Sequence, residues 1–168
     1  MKKILVIGSP GAGKSTFSKE LHKLTDIPLH HLDLIWHRPD RTTIPKPEFI
    51  EKISKLMEAD SWILDGNYSS TLDLRLKEAD TVFFLDYPVE QCLEGARERV
   101  GKPRNDLPWQ EESFDPEFKH FIETFPYTRR PLIYEQLLSH YSDLEKIYIF
   151  HSREEAKAYL KILRNHHD

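Results

Sequence analysis

Gly8-Ser9-Pro10-Gly11-Ala12-Gly13-Lys14-Ser15 matches the phosphate-binding pattern G-x-x-x-x-G-K-[ST] in full. Before it, Lys3-Ile4-Leu5-Val6-Ile7 is a short continuous apolar run of the kind a buried parallel strand uses. After it, Phe17, Leu21 and Leu24 fall at i, i+4 and i+7, one face of a helix. Strand, glycine loop and helix together turn the pattern into a mechanism. Glycines let backbone N–H groups converge on a phosphate, and the helix N-terminus adds about half a positive charge. The stretch Gly8, Ser9, Pro10, Gly11, Ala12, Gly13, Lys14, Ser15 and Thr16 is therefore the expected ATP site. Lys14 would reach the terminal phosphates, and the Ser15 hydroxyl would ligate Mg²⁺. The dinucleotide pattern G-x-G-x-x-G fails, because Gly11-x-Gly13 is followed by Thr16.

At 168 residues the chain has the length of one domain, 1–168. A net charge of −4 offers no global basic surface, so direct nucleic-acid binding is not expected. One cysteine, Cys92, excludes an internal disulfide framework and reads as a small buried hydrophobe. No apolar run approaches membrane-spanning length, and the run after Met1-Lys2-Lys3 is too short for a signal peptide. A cytoplasmic location is the expectation.

Strand and helix signals alternate along the chain. Strands are expected over 2–7, 28–32, 61–64, 81–85 and 147–150. Between them lie a first helix over 14–24, another marked by Phe49, Ile53 and Leu56, and one marked by Val89, Cys92, Leu93 and Ala96. A loop with Pro39, Pro45 and Pro47 follows the second strand. Residues 101–116 hold three prolines and many polar groups and read as a mobile lid. Helical stretches over 116–125 and 131–140 are interrupted near Pro126 and Pro131. Ser152-x-x-Glu155 is a capping box opening a last helix. This is an α/β pattern, a parallel five-stranded sheet covered on both faces in three layers.

Ligands of such sheets bind outside the carboxyl ends of the strands, where Asp33, Asp65 and Asp86 stand. Asp65 suits the second carboxylate orienting Mg²⁺, and Asp33, near Trp36 and Arg38, suits an acceptor hydroxyl. Asp86, before Tyr87-Pro88, reads as a turn residue. Phosphoryl transfer needs its developing charge neutralised, and arginines bracket the lid: Arg97, Arg99 and Arg104 on one side, Arg129 and Arg130 on the other. The pairs His30-His31 and His166-His167 give no metal site, since strand neighbours point to opposite faces and the second pair ends a chain terminus.

On these residues the chain resembles the adenylate-kinase-like group of phosphate-loop kinases, and within it the bacterial DNA topology modulation proteins. The resemblance runs through the phosphate loop, His31-Leu32-Asp33 with Trp36, and Asp65-Gly66-Asn67-Tyr68. It continues through Arg75 ahead of Ala79-Asp80, Leu85-Asp86, Arg104-Asn105-Asp106 and Arg130-Pro131. It implies strand order 2-3-1-4-5 with the phosphate strand central. Nucleotide kinases of the group carry Leu-Asp-Gly-Phe-Pro-Arg after the third strand; here Asn67-Tyr68-Ser69 replaces Phe-Pro-Arg, and the next arginine is Arg75. The GTPase motifs Asn-Lys-x-Asp and Asp-x-x-Gly are absent.

The resulting expectation is an ATP- and Mg²⁺-dependent kinase of a small hydroxylated or phosphorylated molecule, a nucleoside or nucleotide leading. Lys14, Asp33, Arg99, Arg104 and Arg130 would be catalytic. Asp33, Trp36, Arg38, Asn67, Tyr68 and Arg75 would line the acceptor crevice, with Trp36 and Tyr68 stacking on a flat ring and Arg38 or Arg75 holding an anion. The alternative is a nucleotide-binding regulator with little or no turnover.

Overall fold

In the computed structural model residues 1–167 are described, with the side chains of Asp143 and His167 outside that description, so the reading of His166-His167 falls partly outside the described residues. Five parallel strands form one sheet: β1 (Lys3–Gly8), β2 (Leu29–His31), β3 (Trp62–Asp65), β4 (Thr81–Leu85) and β5 (Lys146–Phe150), in the order β2-β3-β1-β4-β5. This is the expected 2-3-1-4-5 order. The register pairs Val6 with Asp65, His31 with Asp65, and Gly8 with Leu85, so the strand ends that carry polar residues are level.

Alternation along the central strands builds two cores. Leu5, Ile7, Trp62, Leu64, Val82 and Phe84 face one side, and Ile4, Val6, Ile63, Phe83 and Leu85 face the other. The helices α1 (Lys14–Thr25), α5 (Val89–Arg99) and α8 (Arg153–His167) cover the second face through Phe17, Leu21, Cys92, Ala96, Ala156 and Leu160. The first face is covered by α3 (Lys46–Leu56), α4 (Ser69–Glu78) and α7 (Arg130–Ser139), through Phe49, Ile53, Leu72, Leu76, Ile133 and Leu137. A further helix, α6 (Pro116–Thr128), reaches both cores, placing Ile122 in one and Phe125 in the other.

Three elements depart from the sequence reading. A short helix, α2 (Leu32–Trp36), occupies the start of the expected loop after β2. The helix α4 has no counterpart in the apolar pattern: Leu72, Leu74 and Leu76 alternate at strand spacing, and a charged residue, Arg75, shares the buried face. Finally, α6 runs through Pro126, and the break falls at Arg129. Pro131 sits in the first turn of α7, where the missing N–H costs nothing. Half of the expected capping box is formed: Glu155 N donates to Ser152 Oγ at 3.2 Å, while the Glu155 carboxylate accepts from His151 N at 2.7 Å, one residue before the cap.

Candidate active site

The phosphate loop joins β1 to α1 and is held from three sides. Gly11 and Gly13 adopt φ of 83° and 94°, conformations that favour glycine. At Gly11 the approach is also tight: a Cβ there would lie 2.1 Å from the Cys92 carbonyl oxygen of α5. In return, a Cβ on Gly95 would lie 2.2 Å from the Gly11 carbonyl oxygen. From the β3 side, Asn67 clasps the loop with both ends of its amide, Oδ1 accepting from Gly8 N at 3.0 Å and Nδ2 donating to Gly8 O at 2.5 Å. The Lys14 ammonium donates to the carbonyls of Gly8 and Ser9 at 3.1 and 3.2 Å. Burial pushes the Lys14 pKa down, while the Asp65 and Asp33 carboxylates act against that shift.

Beside the loop opens a cavity of about 610 Å³, whose lining includes Lys14, Ser15, Asp65 and Arg99. Asp33, His37 and Tyr68 line the same cavity, as do the aromatic side chains of Trp109, Phe118 and Phe121. A second cavity of about 360 Å³ lies on the other side of the loop, between Thr16, Phe17, Tyr87 and Arg153. Gly11, Gly13 and Arg99 border both, so Arg99 stands where the two meet. Its Nε is buried and has no hydrogen-bond partner, and burial together with nearby Arg104 lowers its pKa.

At the metal end, Asp65 is buried and its Oδ2 is bonded to His31 Nδ1 at 2.7 Å. The β2–β3 register places His31 opposite Asp65. No group of three or more His, Cys, Asp or Glu side chains suited to a metal occurs among the described residues. Mg²⁺ seldom needs one, since it binds through one or two protein oxygens plus substrate phosphates and waters. Ser15 and Asp65 fit that donor set.

One part of the cavity lining is set by the turn of α2. Asp33 and His37 stand four residues apart and line the cavity together, while Trp36 lies outside it. Trp36 packs instead on Phe49 and Tyr68, at 5.0 and 6.0 Å between ring centres. The Tyr68 hydroxyl donates to Asp33 Oδ1, and burial with the Asp33 charge holds its pKa well above the usual phenol range. His37 Nδ1 is buried without a partner, and the His37 ring meets Trp109 edge-on at 5.1 Å.

Several expected site residues lie elsewhere. Arg75 is fully buried and outside the cavity: Nε donates to Thr71 Oγ1 at 3.1 Å, Nη1 to Gly66 O at 3.0 Å, and Nη2 to the carbonyls of Asn67 and Tyr68. It secures the 66–68 turn and has no face left for an anion. Arg38 points its Nη1 to Thr43 O at 3.2 Å and does not line the cavity. Arg130 is paired with Asp86 at 2.7 Å, and the Tyr134 hydroxyl donates to the same carboxylate at 2.8 Å. Asp86 therefore ties α7 to the end of β4, and it is Arg129 that lines the cavity, its Nη1 3.2 Å from Ser69 Oγ. Arg104 does line the cavity but spends its guanidinium on two carboxylates, Asp106 and Glu111.

No family model matches the chain, and no curated protein matches it in sequence. Solved structures do resemble it. The shikimate kinase from Acinetobacter baumannii in complex with shikimate is 17% identical with a TM-score of 0.60, over 99% of this chain and 94% of that one. The shikimate kinase from Bacteroides thetaiotaomicron is 15% identical with a TM-score of 0.56, over 96% of each chain. That from Aquifex aeolicus is 18% identical with a TM-score of 0.53, over 95% of this chain and 92% of that one. The likeness is one of fold, and the fold is that of the phosphate-loop kinases.

Proposed function

We propose that the protein transfers the γ-phosphoryl group of ATP to a hydroxyl of a small acceptor. The observation that carries this reading is the shared cavity: Lys14 and Ser15 of the phosphate loop line it together with Asp33, His37 and Tyr68, and the Asp33 carboxylate is near enough to act on the Lys14 charge. The triphosphate would lie along the loop N–H groups, with its base toward the second cavity near Arg153. Mg²⁺, held by Ser15 and Asp65, would neutralise phosphate charge when bound. Lys14 supports the transferring group, and Arg99, bordering both cavities with an unspent Nε, is the arginine placed to follow it.

Asp33 would orient the acceptor hydroxyl and take its proton as the O–P bond forms. Tyr68, donating to Asp33, keeps the carboxylate aimed into the cavity. Trp109, Phe118 and Phe121 offer a flat ring a surface, and Arg129 offers an anionic group a partner. A nucleoside or nucleotide meets all of these features, and the shikimate kinase fold supports a small hydroxylated acceptor more generally. No helix among the described residues is long and apolar enough to cross a membrane.

The test is an ADP-release screen across nucleosides, nucleotides, sugars and hydroxy acids, repeated with Asp33→Asn. We expect Asp33→Asn to lower acceptor-dependent turnover by about 100-fold or more, within the range for a lost general base, while ATP affinity stays near wild type. If the substitution instead weakens ATP·Mg²⁺ binding as strongly as Asp65→Asn does, Asp33 belongs to the metal site and the acceptor assignment fails.

A further inference from the structure

We propose that Asp106, carried on the 101–115 lid, is a positioning residue for the divalent cation: it engages the Ser15 hydroxyl through its proton, leaves the oxygen lone pairs for the metal, and so couples metal binding to lid closure. The proposal rests on the phosphate-loop reading above. Its geometry is direct. Ser15 Oγ donates to Asp106 Oδ2 at 2.7 Å, across 91 residues of sequence. A serine hydroxyl has one proton and two lone pairs. Committing the proton to a carboxylate fixes the rotor and raises the electron density left for a cation. With Mg²⁺–oxygen distances of about 2.0–2.1 Å, a carboxylate on the far side of Ser15 Oγ supports the ligand from outside the inner coordination shell. Such outer partners are typically worth about 10- to 100-fold in metal affinity.

Asp106 is itself held in place. Arg104 grips it with two bonds, Nε to Oδ1 at 3.0 Å and Nη2 to Oδ2 at 2.7 Å, and both side chains are under a tenth exposed. The remaining edge of Arg104 donates to Glu111 Oε1 at 3.0 Å. Gly101 N reaches the Glu111 carbonyl at 2.6 Å and Gln110 Nε2 the Gly101 carbonyl at 2.9 Å, which closes the base of the segment. Lys19 of α1 donates to Asn105, a second tether beside the first. A lid arginine aimed at a lid carboxylate, which is aimed at the metal-ligating serine, is an arrangement for carrying metal occupancy into lid position. By linkage the coupling is reciprocal: a metal that strengthens the Ser15–Asp106 bond closes the lid, and a closed lid strengthens the metal.

The experiment uses the full chain with ADP, and compares hydrogen exchange across residues 101–115 with Mg²⁺ and with EDTA. Mn²⁺ affinity of the ADP complex is read by electron paramagnetic resonance. In the wild-type protein the lid should exchange about tenfold more slowly with Mg²⁺ than with EDTA. In Asp106→Asn that difference should vanish and Mn²⁺ affinity fall about tenfold, while metal-free ADP binds as before. Equal lid protection with and without metal in the wild type overturns the proposal with no variant needed. An Asp106→Asn protein matching wild type, or one losing metal-free ADP affinity to the same degree, overturns it too. None of these readouts needs an acceptor, so failure of every acceptor would sink the kinase reading and leave the coupling standing.

Discussion

Arg75 is a guanidinium enclosed without a carboxylate, and it bears its desolvation through bonds to Thr71 Oγ1 and the carbonyls of residues 66–68. Removing those donors strands the carbonyls of Gly66 and Asn67, each at about 1–3 kcal/mol, while Tyr68 O keeps its bonds from Thr71. Arg75→Met should therefore lower unfolding free energy by about 3 kcal/mol or more in urea titration. A normally stable variant with only its acceptor KM raised would restore Arg75 to the acceptor site. The same logic explains which neighbours were legible. Asp33 was readable from its place after a strand; His37 was not, because the helix that precedes it has five residues, and the i, i+3, i+4 spacing of Leu32, Ile35 and Trp36 is a single turn too short to stand out from a loop. The choice between Arg129 and Arg130 hung on one helical residue, about 100° of rotation, which no pattern in the flanking sequence fixes.

At the scale of elements, the phosphate loop is braced by α5 as much as by its own glycines. The backbone contact between Gly95 and Gly11 leaves no room for a methyl group. Gly95→Ala should push the loop off α5, weakening ATP binding about tenfold or more and lowering stability by about 1–3 kcal/mol, the range for overpacking, as calorimetry and thermal melts would show. Unchanged ATP affinity would mean that the loop is positioned without α5. The central strands were legible as continuous apolar runs, the mark of strands buried on both faces, and α1, α3, α5 and α8 by their 3.6-residue period against a polar background. By contrast α4 was hidden by a strand-like leucine alternation and a buried arginine, both consequences of the turn that it supports.

Across the whole molecule, a 2-3-1-4-5 sheet sets β1, β3 and β2 side by side, so the phosphate loop after β1, Asn67 and Tyr68 after β3 and Asp33 after β2 line one crevice. Alternation alone showed a parallel sheet; the strand order followed from the resemblance, since nothing in a strand's own residues says which strand lies beside it. The pairs His31–Asp65 and Ser15–Asp106 are products of that order, joined across 34 and 91 residues. The central claim is phosphoryl transfer at this crevice, and Lys14 is the group on which it most depends. Its charge should act more on the transition state than on bound ATP. The decisive measurement is acceptor-dependent ADP release by wild type and by Lys14→Met, with folding checked by circular dichroism. We predict a folded variant slowed at least about a hundredfold, roughly 2.7 kcal/mol of barrier. A folded Lys14→Met protein that turns over at near wild-type rate would contradict the account.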